Sequence, residues 1–178
     1  MHTFIDTIIG YGTLILQVLI GVSLLLILLE KYFWTPLPDI IRTYGILIGF
    51  ILSLCAILGS LYYSEIRNLP PCTFCWWQRI FMYPQCAVFG SALVTREYRS
   101  ARWTSMILSL VGLSIAIIHV LAQSGIRSQG LPCAANGVSC TSIDLMLLGY
   151  ITIPIMSLTL YGTMILVQTF GAFSEKQT

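Results

Sequence analysis

Five apolar stretches, each about as long as a bilayer is thick, limit what this chain can fold into. Residues 8–29 carry no charge over 22 positions. At 1.5 Å per residue they make about 33 Å of helix, enough to cross the hydrocarbon core. The others run from Thr43 to Tyr63, from about Trp76 to Thr95 with Arg79 near its start, from Trp103 to Gln123, and from Leu145 to Phe170. No barrel-like alternation of apolar and polar residues is present, so helices are the way left to satisfy backbone polar groups in lipid. Only 9% of the residues are charged, against about 25% in soluble domains. The expectation is an all-α integral membrane protein. The first stretch is expected to be retained as a spanning helix: a cleaved secretory signal wants a basic start, and here His2 and Asp6 stand there with no Lys or Arg. The net charge of +2, with no basic stripe, gives no nucleic-acid signal.

Lys and Arg in short loops set orientation. Loop 30–42 holds Lys31 and Arg42, loop 96–102 holds Arg96, Arg99 and Arg102, and the C-terminal tail holds Lys176; the opposite loops hold Arg67 and Arg127. This imbalance puts the N-terminus outside and the C-terminus inside. It also puts two cysteine-bearing loops, 64–75 and 124–144, on the oxidising side, where disulfides persist.

The first loop ends in Cys72-Thr73-Phe74-Cys75, just after Pro70-Pro71. Proline favours a helix start, so the third helix is expected to begin within the motif. A thiol at a helix N-terminus meets unpaired N–H groups and the positive end of the dipole, which favours thiolate. Redox use is the favoured reading; a structural disulfide and a metal site are the alternatives. Cys133 and Cys140 flank an Asn136-Gly137 turn signal. They read as a second exchangeable pair or as a staple for the loop. A four-cysteine zinc site is disfavoured by the wide second spacing and the lack of neighbouring histidines, so no metal is expected.

Arg79 is the costliest residue for a membrane to hold, and it must snorkel, pair or serve a ligand. It follows Cys75 by four positions and shares its helix face, where a guanidinium favours a Cys75 thiolate or an anion developing on a ligand. Gln78 reads as a pocket hydrogen-bonding group or an ordinary interfacial residue. His119 lies at the same depth on the fourth helix, as a proton relay or a structural histidine, with Gln123 one turn further out. Trp76, Trp77 and Trp103 suit an aromatic belt. Pro84 and Pro154 are expected to mark kinks, and Cys55 and Cys86 to be shielded packing residues.

The run Pro71-Cys72-Thr73-Phe74-Cys75-Trp76-Trp77-Gln78-Arg79-Ile80-Phe81-Met82-Tyr83-Pro84 closely resembles the motif of the bacterial disulfide bond formation proteins, the DsbB family, and within it the short BdbC-like branch. Leu58 to Glu65, Ile118-His119, Pro132-Cys133 to Cys140, and Ile151 to Pro154 resemble the same branch in the same order. The resemblance covers roughly residues 43–170. It implies a four-helix transmembrane bundle over 43–178, with one additional N-terminal transmembrane helix and a cytoplasmic loop over 1–42, in a bacterial plasma membrane. It implies a thiol:quinone oxidoreductase that reoxidises an extracytoplasmic thioredoxin-like partner and reduces a membrane quinone, menaquinone or ubiquinone. Carried over, Cys133 and Cys140 exchange with the partner, and Cys72 and Cys75 form the pair beside the quinone. Cys75 is the sulfur that meets the ring, Arg79 sits by its oxygen, and Gln78 and His119 line the same site. Two rivals stand beside this reading: a thiol-driven quinone reductase in the manner of vitamin K epoxide reductase, and a membrane scaffold stapled by two disulfides.

Overall fold

The computed structural model describes residues 2–29, 37–126 and 139–175. Five long helices account for most of them: α1 (His2–Leu29), α2 (Leu37–Leu61), α3 (Thr73–Thr95), α4 (Tyr98–Gln123) and α5 (Ile153–Glu175). Helices α2 to α5 close a square in which α2 packs on α3 and α5, and α4 packs on the same two; α1 lies outside it, principally against α5. Among the described residues, four helices (α1, α2, α4 and α5) are long and apolar enough to cross a membrane. The third of the five expected spans, α3, has 23 residues, about 34 Å of helix, but falls short in apolarity. Gln78, Arg79 and Gln85 lower its average, and Gln78 and Gln85 are buried. Gln85 binds its neighbour: Ser105 and Ser109 of α4 both donate to its Oε1, at 3.0 and 3.2 Å, while its own amide N–H donates to the Phe81 carbonyl. Buried polar groups satisfied in this way join two helices where lipid offers no partner.

Several boundaries differ from the sequence expectation. Arg42 lies on α2, and Arg99 and Arg102 on α4, so the connection between α3 and α4 narrows to Arg96 and Glu97. Arg96 closes α3 in a left-handed conformation (φ 61°), its N–H bonded to the Ala92 carbonyl at 2.8 Å. The fifth stretch does not begin as helix at Leu145. Leu148 and Gly149 both adopt positive φ, and Leu147 pairs with Ile151 across that turn. Pro154 is therefore the second residue of α5, where its fixed φ and missing N–H suit a helix start, and does not mark a mid-helix kink. Pro84 does lie inside α3, which continues through it. Cys55 is exposed, against the expectation of a shielded residue, and Cys86 is partly buried. Lys31, Arg127, Cys133, Asn136, Gly137 and Lys176 lie outside the described residues.

Close approach of α4 and α5 depends on Gly112. A Cβ there would fall on the ring of Tyr161, which is 1% exposed and donates a 2.6 Å hydrogen bond to the Gln78 carbonyl of α3. The ring cannot swing away without breaking that bond. Gly112→Ala is expected to destabilise the bundle by about 1–3 kcal/mol, seen as a lower Tm in detergent; an unchanged Tm would mean the two helices are free to separate.

Candidate active site

The site is built on the first turn of α3. Cys72 is the N-cap, in extended conformation, and its Sγ accepts the Cys75 N–H at 3.4 Å. The turn brings Cys72 Sγ and Cys75 Sγ within 2.9 Å. Before it, α2 ends in a single π-helical turn, Tyr62–Ile66, capped by Arg67 N–H bonding the Tyr62 carbonyl. The chain returns through Pro70-Pro71, so the cysteines open α3 at the end of the bundle where α2 closes.

His119 of α4 completes a cluster. Its Nε2 lies 3.6 Å from Cys72 Sγ and its Nδ1 3.4 Å from the Gln78 amide nitrogen. With that amide N–H donated to Nδ1, the ring proton sits on Nε2 and faces the Cys72 sulfur. Phe74 stands 5.5 Å from the imidazole, ring centre to ring centre. The histidine is thus nearer the thiols than matching depth alone suggested. The donor atoms of Cys72, Cys75 and His119 all lie within 4.8 Å of one another, a spacing a soft metal ion also accepts. The argument that these cysteines lack a neighbouring histidine therefore does not survive folding.

The two sulfurs are made unequal. Cys75 is held below the ordinary thiol range, first by the hydrogen bond from the Cys72 thiol, then by a backbone bond from Cys72 and the Arg79 charge, against burial and nearby Cys140. Cys72 is pushed up to about 12, first by that same hydrogen bond and then by burial, with His119 opposing. In the reduced pair Cys75 is therefore the sulfur that loses its proton first, and Cys72 the one that keeps it. Thiolate reactivity exists above the lowered value and is lost as pH falls through it. Alkylation of the reduced protein, followed residue by residue with mass spectrometry, is expected to modify Cys75 well below the pH at which an ordinary thiol reacts. A Cys75 profile like that of a free thiol would contradict the inequality.

Arg79 is anchored by two bonds that sequence spacing could not show: Nε donates to Ser60 Oγ at 2.8 Å and Nη2 to the Ser60 carbonyl at 3.0 Å. Its guanidinium lies 5.3 Å from the ring centre of Trp76, a cation–π contact. Trp76, Trp77 and Trp103 are about half exposed, as belt residues are. Of the second cysteine pair, Cys140 is 1% exposed and close enough for its charge to act on Cys75. Gln123 holds this loop down, donating to the Ser142 carbonyl and accepting from Thr152 Oγ1, both at 3.0 Å.

Cys72, Cys75, Gln78, Arg79 and His119 line one end of a cavity of about 510 Å³. Its remaining walls are largely apolar and come from α1, α2 and α5, with Leu69 to Pro71 and a polar patch of Ser139, Ser142 and Asp144 contributed by the loops. A flat ring with a polar edge and an apolar tail fits such a space: thiol, imidazole and guanidinium stand at one end and aliphatic side chains along the rest. Sequence reasoning did not single out Ser60, Tyr161 or the α1 residues of this wall. Only Ser60 lay in a quoted motif, and none has a fixed spacing to the cysteines.

The family model "Disulfide bond formation protein DsbB" matches residues 42–171. Disulfide bond formation protein C of Bacillus subtilis (strain 168) is 36% identical over 110 residues, 62% of this chain and 79% of that protein. Probable disulfide formation protein C 1 of Bacillus anthracis is 37% identical over 117 residues, 66% of this chain and 84% of that protein. The SPbeta prophage-derived disulfide bond formation protein B of Bacillus subtilis (strain 168) is 38% identical over 111 residues, 62% of this chain and 74% of that protein. No solved structure gives a significant match.

Proposed function

The chain belongs to the DsbB family of disulfide bond formation proteins, and on that premise we propose that it is a thiol:quinone oxidoreductase of a bacterial plasma membrane. It takes two electrons from a reduced thioredoxin-like partner outside the cytoplasm and passes them to menaquinone or ubiquinone. Both cysteine loops and the N-terminus face outward and the C-terminus faces the cytoplasm. In this reading α3 crosses with the other four helices, residues 43–178 form the catalytic core, and residues 1–42 are an addition to it. The observation that carries the proposal is the convergence of an unequal cysteine pair, His119 and Arg79 at one end of a cavity with apolar walls.

The chemistry follows from the sulfurs. A partner thiolate attacks the Cys133–Cys140 disulfide, one S–S bond breaking as another forms. The partner's second thiol resolves the mixed disulfide, leaving the partner oxidised and Cys133 and Cys140 reduced. Cys140, buried beside the first pair, then attacks the Cys72–Cys75 disulfide. Attack at Cys72 expels Cys75, whose lowered pKa makes it the better leaving group. Cys133 resolves the Cys140–Cys72 bond, the outer disulfide re-forms, and α3 holds a Cys72 thiol and a Cys75 thiolate. His119 holds or moves a proton at Cys72 Sγ, while Arg79 offsets negative charge beside Cys75. A bound quinone supplies a two-electron, two-proton sink as Cys72 and Cys75 return to the disulfide.

The direct test reconstitutes the purified protein with menaquinone or ubiquinone and a reduced thioredoxin-like partner, and follows loss of partner thiols together with quinol formation. One quinol per partner disulfide is expected. Partner thiols that stay reduced would refute the proposal; stoichiometric metal retained by the reduced protein would favour a metal site at Cys72, Cys75 and His119 instead.

A further inference from the structure

Helix α1 lies outside the family match, which begins at residue 42, yet it forms one wall of the cavity. Ile8, Ile9, Gly12, Thr13, Ile15 and Leu16 line it, a stripe at helical spacing over two turns. α1 packs chiefly on α5, with Ile5 and Ile9 against Tyr62, Tyr63 and Leu145. Gln17 donates to Thr159 Oγ1 at 3.1 Å and accepts from the Tyr150 hydroxyl at 2.6 Å. Asp6 pairs with Arg67 at 3.5 Å. The space left between α1 and α2 is the cavity itself. A Cβ added at Gly12 of α1, or at Gly59 of α2, meets nothing within 4 Å, and both glycines line the opening.

The cavity is long. On α2 it is lined from Leu52 to Ser60, about 12 Å of helix, and the π-helical turn that follows continues the lining through Tyr63 and Ser64. Its polar groups cluster around the cysteines, and the α1 stripe is aliphatic except for Gly12 and Thr13. Both α1 and α2 have the length and apolarity of membrane spans, so the gap between them opens where lipid chains lie.

We propose that α1 completes a tail-binding channel: Ile8, Ile9, Gly12, Ile15 and Leu16 hold the isoprenoid chain of the membrane quinone against α2, while the ring lies at the cysteine end. This rests on the thiol:quinone reading and adds to it a determinant of ligand choice that the matched core does not contain. A side chain at Gly12, or a longer one at Cys55 on the opposite wall, narrows the channel away from Ser60 and Arg79.

The test compares long-tailed menaquinone with tail-less menadione, using quenching of Trp76 and Trp77 fluorescence for affinity and the quinone co-purified per protein as a second readout. Gly12→Leu and, from the opposite wall, Cys55→Leu are expected to weaken the long-tailed ligand about tenfold, the equivalent of two displaced buried methylenes. Menadione binding is expected to change less than about twofold. Gly21→Leu, on an exposed part of α1 away from the cavity, is the control and is expected to alter neither. Variants that weaken both ligands equally, or neither, overturn the role of α1 while leaving the thiol:quinone reading intact. A wild-type protein that binds neither of these ligands, nor ubiquinone, overturns that reading and this inference with it.

Discussion

Replacing Cys75 with serine is expected to abolish partner oxidation, lowering kcat/KM by about 10³-fold or more. Without that sulfur α3 cannot carry a disulfide, and electrons delivered to the outer loop have no onward path. Cys86→Ser, a partly buried thiol away from the cavity, is expected to stay within about twofold of wild type, since surroundings and not thiol chemistry alone decide reactivity. The companion change, Cys72→Ser, separates the two sulfurs. It leaves Cys75 near Arg79 without its disulfide partner, and a long-wavelength visible band is expected when quinone is present and Cys75 is ionised. The serine keeps a hydrogen-bond donor beside Cys75 but cannot accept Cys140 as a disulfide partner. A Cys72→Ser protein loaded with quinone that shows no band at any pH would contradict the placement of Cys75 beside the ring.

Arg79→Met is expected to have the second largest effect, lowering kcat by about 10²-fold. The substitution removes a positive charge that helps hold Cys75 as thiolate. It also removes the two bonds to Ser60 that tie α3 to the outer end of α2. The sign is fixed by the group lost: the Cys75 alkylation profile moves to higher pH, and the visible band of the Cys72→Ser protein weakens at a given pH. Arg79→Lys keeps the charge but not the planar fork that bonds Ser60 twice, so an intermediate rate with a nearly normal alkylation profile is expected. If Arg79→Met lowers only thermal stability and leaves pH profile and band in place, Arg79 serves the fold and not the sulfur.

How much of the site was legible depended on how local its geometry is. Cys72, Cys75 and Arg79 fall within one short segment of α3. Once Pro70-Pro71 signals a helix start, the spacings of three and four place them together without further knowledge. Gln78 and His119 were legible only as polar residues at similar depth. Their meeting, across 41 residues of chain, depends on the rotation of α3 and α4, which buried Gln85 with Ser105 and Ser109 sets. The burial of Cys140 was not legible for a related reason: Gln123 and Thr152 draw the end of its loop onto the bundle. Hydropathy averages also treat α3 as if every residue met lipid, and so understate a helix whose polar side chains turn inward.

Length and apolarity alone determined that this is a helical membrane protein, because a bilayer admits few ways to satisfy a backbone. Local spacing determined that a cysteine pair and a cation share one helix end. Only the tertiary structure decided that His119 faces Cys72, that Ser60 anchors Arg79, that Cys140 is buried, and that α1 closes a cavity. Each of these depends on which faces of separate helices meet, and for a uniformly apolar helix such as α1 sequence carries little of that information. Lipid and protein interior reward the same residues, so what settles α1 against α5 is a few polar bonds, those of Gln17 with Thr159 and Tyr150, and the fit of neighbouring surfaces.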